Sequence, residues 1–328
     1  MIILGIETSC DETSAALVKN GSYVLSNIVA SSLKLHRKYG GVIPEIASRA
    51  QLEYIQPVVS TALKEAKIKI KDIDLIAVTK GPGLGGSLLI GLSFAKALSF
   101  AIKKPFIGID HIQAHLYAPA LSQKIKPPFV GLVVSGGHTS LFFVKNFLSF
   151  KLLGHTVDDA IGEAFDKVAK IMGLAYPGGP LVEKLARRCK NSKIRFTCGR
   201  LDRKLDFSFS GIKTAVLYKV NSLNGKISFR DKTGIAHAFQ EAVFDDVVKK
   251  SLLACESKKT KRLVIGGGVA SNMRFRQKLM QAALKNRIKI YFPEHNYCLD
   301  NAAMIAGLAY HLYKKMGGSK LSMQIEPT

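Results

Sequence analysis

Phe-Val-Gly-Leu-Val-Val-Ser-Gly-Gly-His-Thr-Ser-Leu-Phe-Phe-Val-Lys, residues 129–145, is the stretch that decides the fold. Phe129 to Val134 is an unbroken apolar run, as a strand buried on both faces requires. Ser135-Gly136-Gly137-His138-Thr139 is turn chemistry, and Ser140 to Lys145 returns as a second strand. The same order stands at the start of the chain. Residues 2–6 are an apolar strand, a small polar loop comes next, and Ser14 to Val18 is the second strand. Asn20-Gly21 is a hairpin signal that sends the chain back through Tyr23 to Ala30. Two copies of one α/β unit are therefore expected, each opened by antiparallel strands rather than by a purely parallel sheet. In the first copy, helical spacing covers Gln51 to Ala66 and Leu88 to Ile102, with strands at Leu75 to Val78 and Pro105 to Ile109. In the second, helices are expected at Gly162 to Met172, Leu181 to Arg188, Ala236 to Cys255 and Asn272 to Leu284. Strands are expected there at Leu263 to Ile265 and Ile288 to Phe292, and a last helix at Ala302 to Tyr313. The Pro127-Pro128 pair punctuates the chain between the copies. The expected division is residues 1–125, completed by the C-terminal helix around 300–328, and residues 126–299. The second part carries a basic, turn-rich insertion around 187–232.

The chain has 328 residues, enough for about two domains. Hydrophobic residues make up 47%, which suits a packed core rather than disorder. Forty-eight Lys and Arg against 24 Asp and Glu leave a formal charge of +24, so the surface attracts polyanions. Nucleic acid, an anionic membrane and an acidic protein are all open at this point. The five cysteines include no Cys-x-x-Cys pair, which removes zinc-ribbon and thioredoxin-type readings and suits a reducing, cytoplasmic setting. The N-terminus enters a strand directly and carries Glu7, unlike a secretory leader. The Leu88 to Ile102 run is broken by Lys96, is too short to span a bilayer and reads as a core helix.

The chemistry-bearing residues begin with His111 and His115 in Gly-Ile-Asp-His-Ile-Gln-Ala-His-Leu. Four residues apart, they share one helix face, with Asp110 as the N-cap. Two imidazoles can take one metal ion from the same side, and a third, oxygen ligand would complete the set. Asp300 stands at a helix start, where capping competes with that role. A two-histidine, one-carboxylate set suits non-haem iron or zinc. Four glycine or small-residue loops join strands to the next element: Glu7 to Ser14, Gly81 to Ser87, Ser135 to Thr139 and Gly266 to Asn272. Such loops offer backbone N–H groups to anions, and the expected ligand is a nucleotide in a cleft. Acidic residues gather at Asp11-Glu12 and at Asp158-Asp159, Glu163 and Asp166. The second group reads equally as a helix start with a surface charge pair to Lys167.

Eight segments together closely resemble one family. They are Gly-Ile-Glu-Thr-Ser-Cys-Asp-Glu-Thr (5–13), His-Ile-Gln-Ala-His (111–115), Val-Ser-Gly-Gly-His-Thr (134–139), Gly-Glu-Ala-Phe-Asp-Lys (162–167), Tyr-Pro-Gly-Gly-Pro (176–180), Phe-Ser-Phe-Ser-Gly-Ile-Lys-Thr (207–214), Gly-Gly-Gly-Val-Ala-Ser-Asn (266–272) and Asp300-Asn301. The resemblance is to the bacterial tRNA N6-adenosine threonylcarbamoyltransferases, the TsaD/Gcp/Kae1 group, and it runs in order along essentially the whole chain. It implies an actin/sugar-kinase/Hsp70-like ATPase fold, two-lobed, with duplicated mixed-sheet units and an interlobe cleft. It implies transfer of threonylcarbamoyl from threonylcarbamoyl-AMP to N6 of adenosine 37 in tRNAs reading ANN codons, with release of AMP.

The resemblance places metal ligands at His111, His115 and Asp300, for one Fe2+ or Zn2+. It places substrate contacts at Val134, Ser135, Gly136, Gly137, His138, Asp166, Gly179 and Asn272. Asp11 is the expected group for orienting or deprotonating the incoming amine. tRNA is the macromolecular substrate, drawn by the basic surface, with the segment around 187–204 a candidate contact. A shorter paralogue of the same fold (TsaB-like) and a P-loop ATPase (TsaE-like) are the implied partners, and no membrane is. Three positions depart from the family pattern. Gln113 replaces an acid between the histidines, Gln51 stands where many members have histidine, and Glu183 stands where some have a substrate-binding Asp. An ATP-hydrolysing kinase or Hsp70-like switch on the same fold is the alternative, distinguished by Mg2+ carboxylates in place of a histidine pair. A zincin protease needs Glu directly after the first histidine, and Ile112 is there.

Overall fold

A computed structural model describes residues 1–223 and 227–328. The chain divides into two compact units, Met1–Ile125 with Pro293–Thr328, and Lys126–Phe292. Residues 224–226, inside the expected insertion, lie outside the described residues.

The first unit is built on β1 (Ile2–Glu7), β2 (Glu12–Lys19), β3 (Tyr23–Ser31), β4 (Leu75–Gly81) and β5 (Phe106–Asp110), in the order β3-β2-β1-β4-β5. β1 to β3 pair antiparallel, and β1, β4 and β5 pair parallel. β1 and β2 are buried almost continuously, which is why they read as apolar runs rather than alternating ones. α1 (Leu33–His36) is a single turn, and α2 (Pro44–Ala66) and α3 (Gly85–Ile102) pack on the sheet and on each other. α4 (His111–Tyr117) comes directly after β5. α3 is the one helix among the described residues long and apolar enough to cross a bilayer. It buries Leu88, Leu92 and Ala95 in this unit's interior.

The second unit repeats the plan with β6 (Phe129–Val134), β7 (Thr139–Asn146), β8 (Ser149–His155), β9 (Arg262–Gly266) and β10 (Lys289–Tyr291). Their order is β8-β7-β6-β9-β10, with the same mixture of antiparallel and parallel pairs. Its helices are α5 (Ile161–Ile171), α6 (Gly178–Arg187), α7 (Ser210–Asn221), α8 (Phe229–Ser257) and α9 (Met273–Lys285). α10 (Ala302–Met316) packs on β1, β2 and α4 of the first unit.

Sequence and structure differ in several places. α8 begins seven residues before Ala236, where Ser228 caps it through Asp231 N–H. α2 begins seven residues before Gln51, because Pro44 occupies its first turn, where a fixed φ and a missing N–H cost nothing. β8 is an unexpected strand: it is an edge strand with one fully buried residue, Gly154, so no buried apolar run marks it. An Asn146 side chain accepting from Leu148 N–H makes the turn into it. Within 187–232 lies α7, whose Ile212, Val216 and Val220 are buried, as are Phe207 and Phe209, so this part of the stretch is core.

Candidate metal centre

Two helix starts deliver the ligands. Asp110 ends β5 and accepts from Gln113 N–H at 2.8 Å, so the strand turns at once into α4 and sets His111 and His115 one turn apart. α10 starts at Asn301, whose side chain accepts from Met304 N–H at 3.1 Å. Because Asn301 does the capping, Asp300 is released from it. Ala302 N–H donates to Ser14 Oγ at 2.9 Å and Ala303 N–H to Asn27 Oδ1 at 3.3 Å, which fastens this helix end to β2 and β3. Gly5 allows the approach: a Cβ there would strike Ala302 O of α10.

His111, His115 and Asp300 meet, with their ligand atoms all within 4.8 Å of one another. Asp300 Oδ1 lies 3.0 Å from His115 Nε2 and 3.6 Å from His111 Nε2. The two rings stand edge to face, 4.6 Å between centroids. Both histidines are buried, and the Asp300 side chain is 20% exposed, which leaves the group one open side. Ligands about 2.1 Å from a common ion stand roughly 3 to 3.5 Å apart, and the two Asp300 separations are close to that range. His115 Nδ1 is buried with no hydrogen-bond partner, so Asp300 is that imidazole's one hydrogen-bond partner among the described residues.

Behind His111 stands Glu7, fully buried, with Oε2 3.0 Å from Nδ1. Ser9 Oγ is 3.2 Å from the same nitrogen. Glu7 is itself held by Ser9 N–H and by Thr79 Oγ–H, each at 2.6 Å. A carboxylate on one imidazole nitrogen fixes the ring and the tautomer that presents the other nitrogen to a metal. Burial opposes charge on His111, but the charge of Glu7, that of Asp300, the Glu7 hydrogen bond and Asp110 outweigh it and lift the imidazole to about 9. Glu12 is pushed well above the usual carboxylate range, first by burial and then by the charges of Asp300 and Asp11. Burial, then Asp11 and Asp300, likewise push the Cys10 thiol up. An excess of buried negative charge beside two imidazoles is the setting a divalent cation relieves.

Asp11 lies in the β1–β2 turn and is buried, close enough to Cys10 and Glu12 to act on both. Its backbone carbonyl accepts from Ser32 N–H and Oγ–H. Gln51 is fully buried, and its amide NH2 donates to the carbonyls of Cys10 and Glu12 at 2.8 and 3.1 Å, so it braces this turn. Gln113 gives α4 its capped backbone N–H and is not among the three convergent ligands.

The other expected residues are in the second unit. Val134 ends β6, and Ser135 to His138 form the turn to β7, closed by Ser135 N–H to His138 O at 2.8 Å and His138 N–H to Ser135 Oγ at 3.1 Å. Gly136 and Gly137 have nothing within 4 Å of an added Cβ, and their turn is open to solvent. Gly267, at φ +94°, passes so close to Val134 O that any side chain would collide. Asp166 Oδ1 accepts from Gly178 and Gly179 N–H at 2.7 and 3.3 Å, so it caps α6. Asn272 caps α9 through Phe275 N–H and donates to Gln240 Oε1. Glu183 Oε1 accepts from Met273 N–H at the same helix start. Sequence reasoning missed Glu7, Ser9 and Thr79 as supports of His111. An acid inside an otherwise apolar strand was the available signal.

Two mixed five-stranded sheets of one topology define the actin/sugar-kinase/Hsp70-like class. Two solved structures share the fold: full-length HypF in the phosphate- and nucleotide-bound form (TM-score 0.66, 14% identity, 97% of this chain and 47% of that one), and the Acidaminococcus fermentans (R)-2-hydroxyglutaryl-CoA dehydratase component A (TM-score 0.56, 16% identity, 96% and 100%). Residues 23–307 match the family model for TsaD, tRNA N6-adenosine threonylcarbamoyltransferase. Proteins of that description from Protochlamydia amoebophila (50% identity, 100% of this chain and 97% of that one) and Clostridium kluyveri (49%, 99% and 96%) align along the whole chain. The chain belongs to the TsaD family of tRNA N6-adenosine threonylcarbamoyltransferases and is a transferase that modifies tRNA.

Proposed function

We propose that this enzyme moves threonylcarbamoyl from threonylcarbamoyl-AMP to N6 of adenosine 37 in tRNAs reading ANN codons, with one Fe2+ or Zn2+ held by His111, His115 and Asp300. The convergence of those three side chains carries the reading. A bound ion would supply a Lewis acid and a template for the transferred carbonyl group. Glu7 keeps the proton of His111 on Nδ1 and aims Nε2 at the ligand position. Asp11 orients the incoming amine and takes its proton as N6 bonds to the carbamoyl carbon. The carbon–oxygen bond to phosphate breaks, and AMP leaves with the electron pair.

In the second unit, the Gly136 and Gly137 amides suit the acyl phosphate. Val134, Ser135, His138, Gly179 and Asn272 complete the proposed adenylate contacts, with Asp166 acting on the ribose while it caps α6. We read the two compact units as the two lobes. The enzyme works in the cytoplasm, with a shorter paralogue of its own fold and a P-loop ATPase.

Reconstitution with threonylcarbamoyl-AMP and unmodified tRNA tests this, read by mass spectrometry of the nucleosides. Threonylcarbamoyladenosine at position 37, formed with stoichiometric AMP and lost on chelation, is the expected result. Full activity in a metal-free preparation would contradict the metal assignment.

A further inference from the structure

Residues 187–204 carry eight Lys or Arg and a single acid, Asp202. From 191 to 200 they form neither helix nor strand, yet they do not wander. Exposure alternates: Ser192, Ile194, Phe196 and Cys198 are half-buried, while Asn191, Lys193, Arg195, Thr197 and Gly199 face solvent. The inward set lies along α8. Ser192 Oγ donates to Gly234 O at 3.4 Å, and the Cys198 thiol donates to Ala242 O at 3.8 Å. Arg195 and Phe196 line a hollow of about 230 Å³ with His237, Ala238, Glu241 and Ala242. Arg195 folds its guanidinium back onto the carbonyls of Ser192 and Ile194, which stiffens the strap.

Arg203 pairs with Asp206, but most of what the strap offers is unspent. Among the described residues, the one backbone N–H from Lys190 to Leu205 with an acceptor is that of Ile194. Among those residues, too, no carboxylate is within ion-pair distance of Arg187, Lys190, Lys193 or Arg200. At one end Arg188 lies over the ring of Phe229, 5.8 Å from its centroid, and that residue is 57% exposed. Unpaired cations beside unpaired backbone N–H groups favour a chain of anions. An exposed aromatic face beside them favours an unstacked base. An acidic protein or a membrane would use the charge but leave that ring without a role.

We infer that the strap 190–204, with Arg187 and the Arg188–Phe229 pair, is the track on which the tRNA backbone lies. This rests on tRNA being the substrate and adds where on the chain the RNA is held. The test compares wild type with K190E/K193E/R200E in the full-length protein. None of these residues is among the proposed catalytic, metal or adenylate groups. Binding of unmodified tRNA is followed by fluorescence anisotropy across a salt series. The track predicts at least a tenfold loss of affinity at low salt. It also predicts a slope of log K against log salt shallower by about two to three units, at roughly 0.7 to 0.9 per lost phosphate contact. Metal content, melting temperature and turnover at saturating tRNA should hold.

Unchanged affinity and slope in a variant of normal melting temperature would overturn the track while leaving the transferase reading intact. A wild-type protein that modifies no tRNA would instead overturn that reading. Polyglutamate or phosphatidylserine vesicles displacing tRNA at equal charge would also overturn the track, by making the strap an unselective polyanion surface. F229A should weaken binding without altering the salt slope.

Discussion

The β1–β2 turn and the β6–β7 turn occupy the same place in two sheets of one topology, yet they have opposite characters. The first is buried and acidic: Glu7, Asp11 and Glu12 crowd beside an imidazole pair, and Gln51 braces the turn from α2. The second is open, and its glycines present main chain rather than side chains. The difference comes from the helices that the chain forms after the last strand of each sheet. α4 comes after β5, and α10 is the next helix after β10. Both pack in the first unit, so His111, His115 and Asp300 gather there. One duplicated scaffold carries a convergent His-His-Asp group in one unit and an open glycine turn in the other.

The largest expected effect lies on the ligand side. Asp300→Ala should abolish metal retention and lower turnover by at least about a hundredfold, since two imidazoles alone leave the site incomplete. Asp300→Asn should do nearly as much, because it keeps the shape and loses the charge. Glu7→Gln should weaken metal affinity by about 10- to 100-fold while the fold persists, the usual cost of removing a carboxylate behind a metal-bound histidine. Metal titration followed by circular dichroism separates that from unfolding. An effect of Glu7→Gln larger than that of Asp300→Ala would reverse the roles assigned to them.

On the other side of the comparison the effects are smaller and mixed. Asp166→Ala removes the cap of α6, which costs about 1 kcal/mol in a denaturant melt. If Asp166 also meets the adenylate, KM for threonylcarbamoyl-AMP rises well beyond what that stability change explains. The smallest effect is a pH dependence. Burial alone would push the Glu241 carboxyl up, but hydrogen bonds and charge from Arg274 and Lys278 overcome it and hold it at about 2. A carboxyl depressed from 4.5 stabilises the fold fully above that pH and loses the contribution as pH falls towards about 2. Glu241→Gln should therefore flatten the acid limb of the stability curve between those values, read from denaturant melts at a series of pH values.

The duplication was legible because buried strands read as apolar runs, and residues 2–6 and 129–134 both do. Spacing put His111 and His115 on one face, and Asp110 announced their helix. Asp300 was harder, since no local pattern distinguishes a released aspartate from an N-cap. Its placement depends on Asn301 taking the cap and on Gly5 admitting α10, a contact between residues nearly three hundred positions apart in sequence. Family resemblance, rather than periodicity, marked it. β8 escaped because a solvated edge strand has little apolar signal, and the strap because its order comes from α8, not from its own ladder. The capping role of Asp166 was invisible for the same reason: its partners, Gly178 and Gly179 N–H, are brought to it by tertiary packing, whereas Asn272 caps α9 locally through Phe275 N–H.

A single ion shared by three side chains of the first unit is the central claim. Metal analysis of the chain purified without chelators, joined to anomalous diffraction at the edge of the metal found, tests it directly. One ion per chain, bonded to His111, His115 and Asp300 and absent from His115→Ala, is the predicted result. A fully active protein with no ion among those three groups would contradict it.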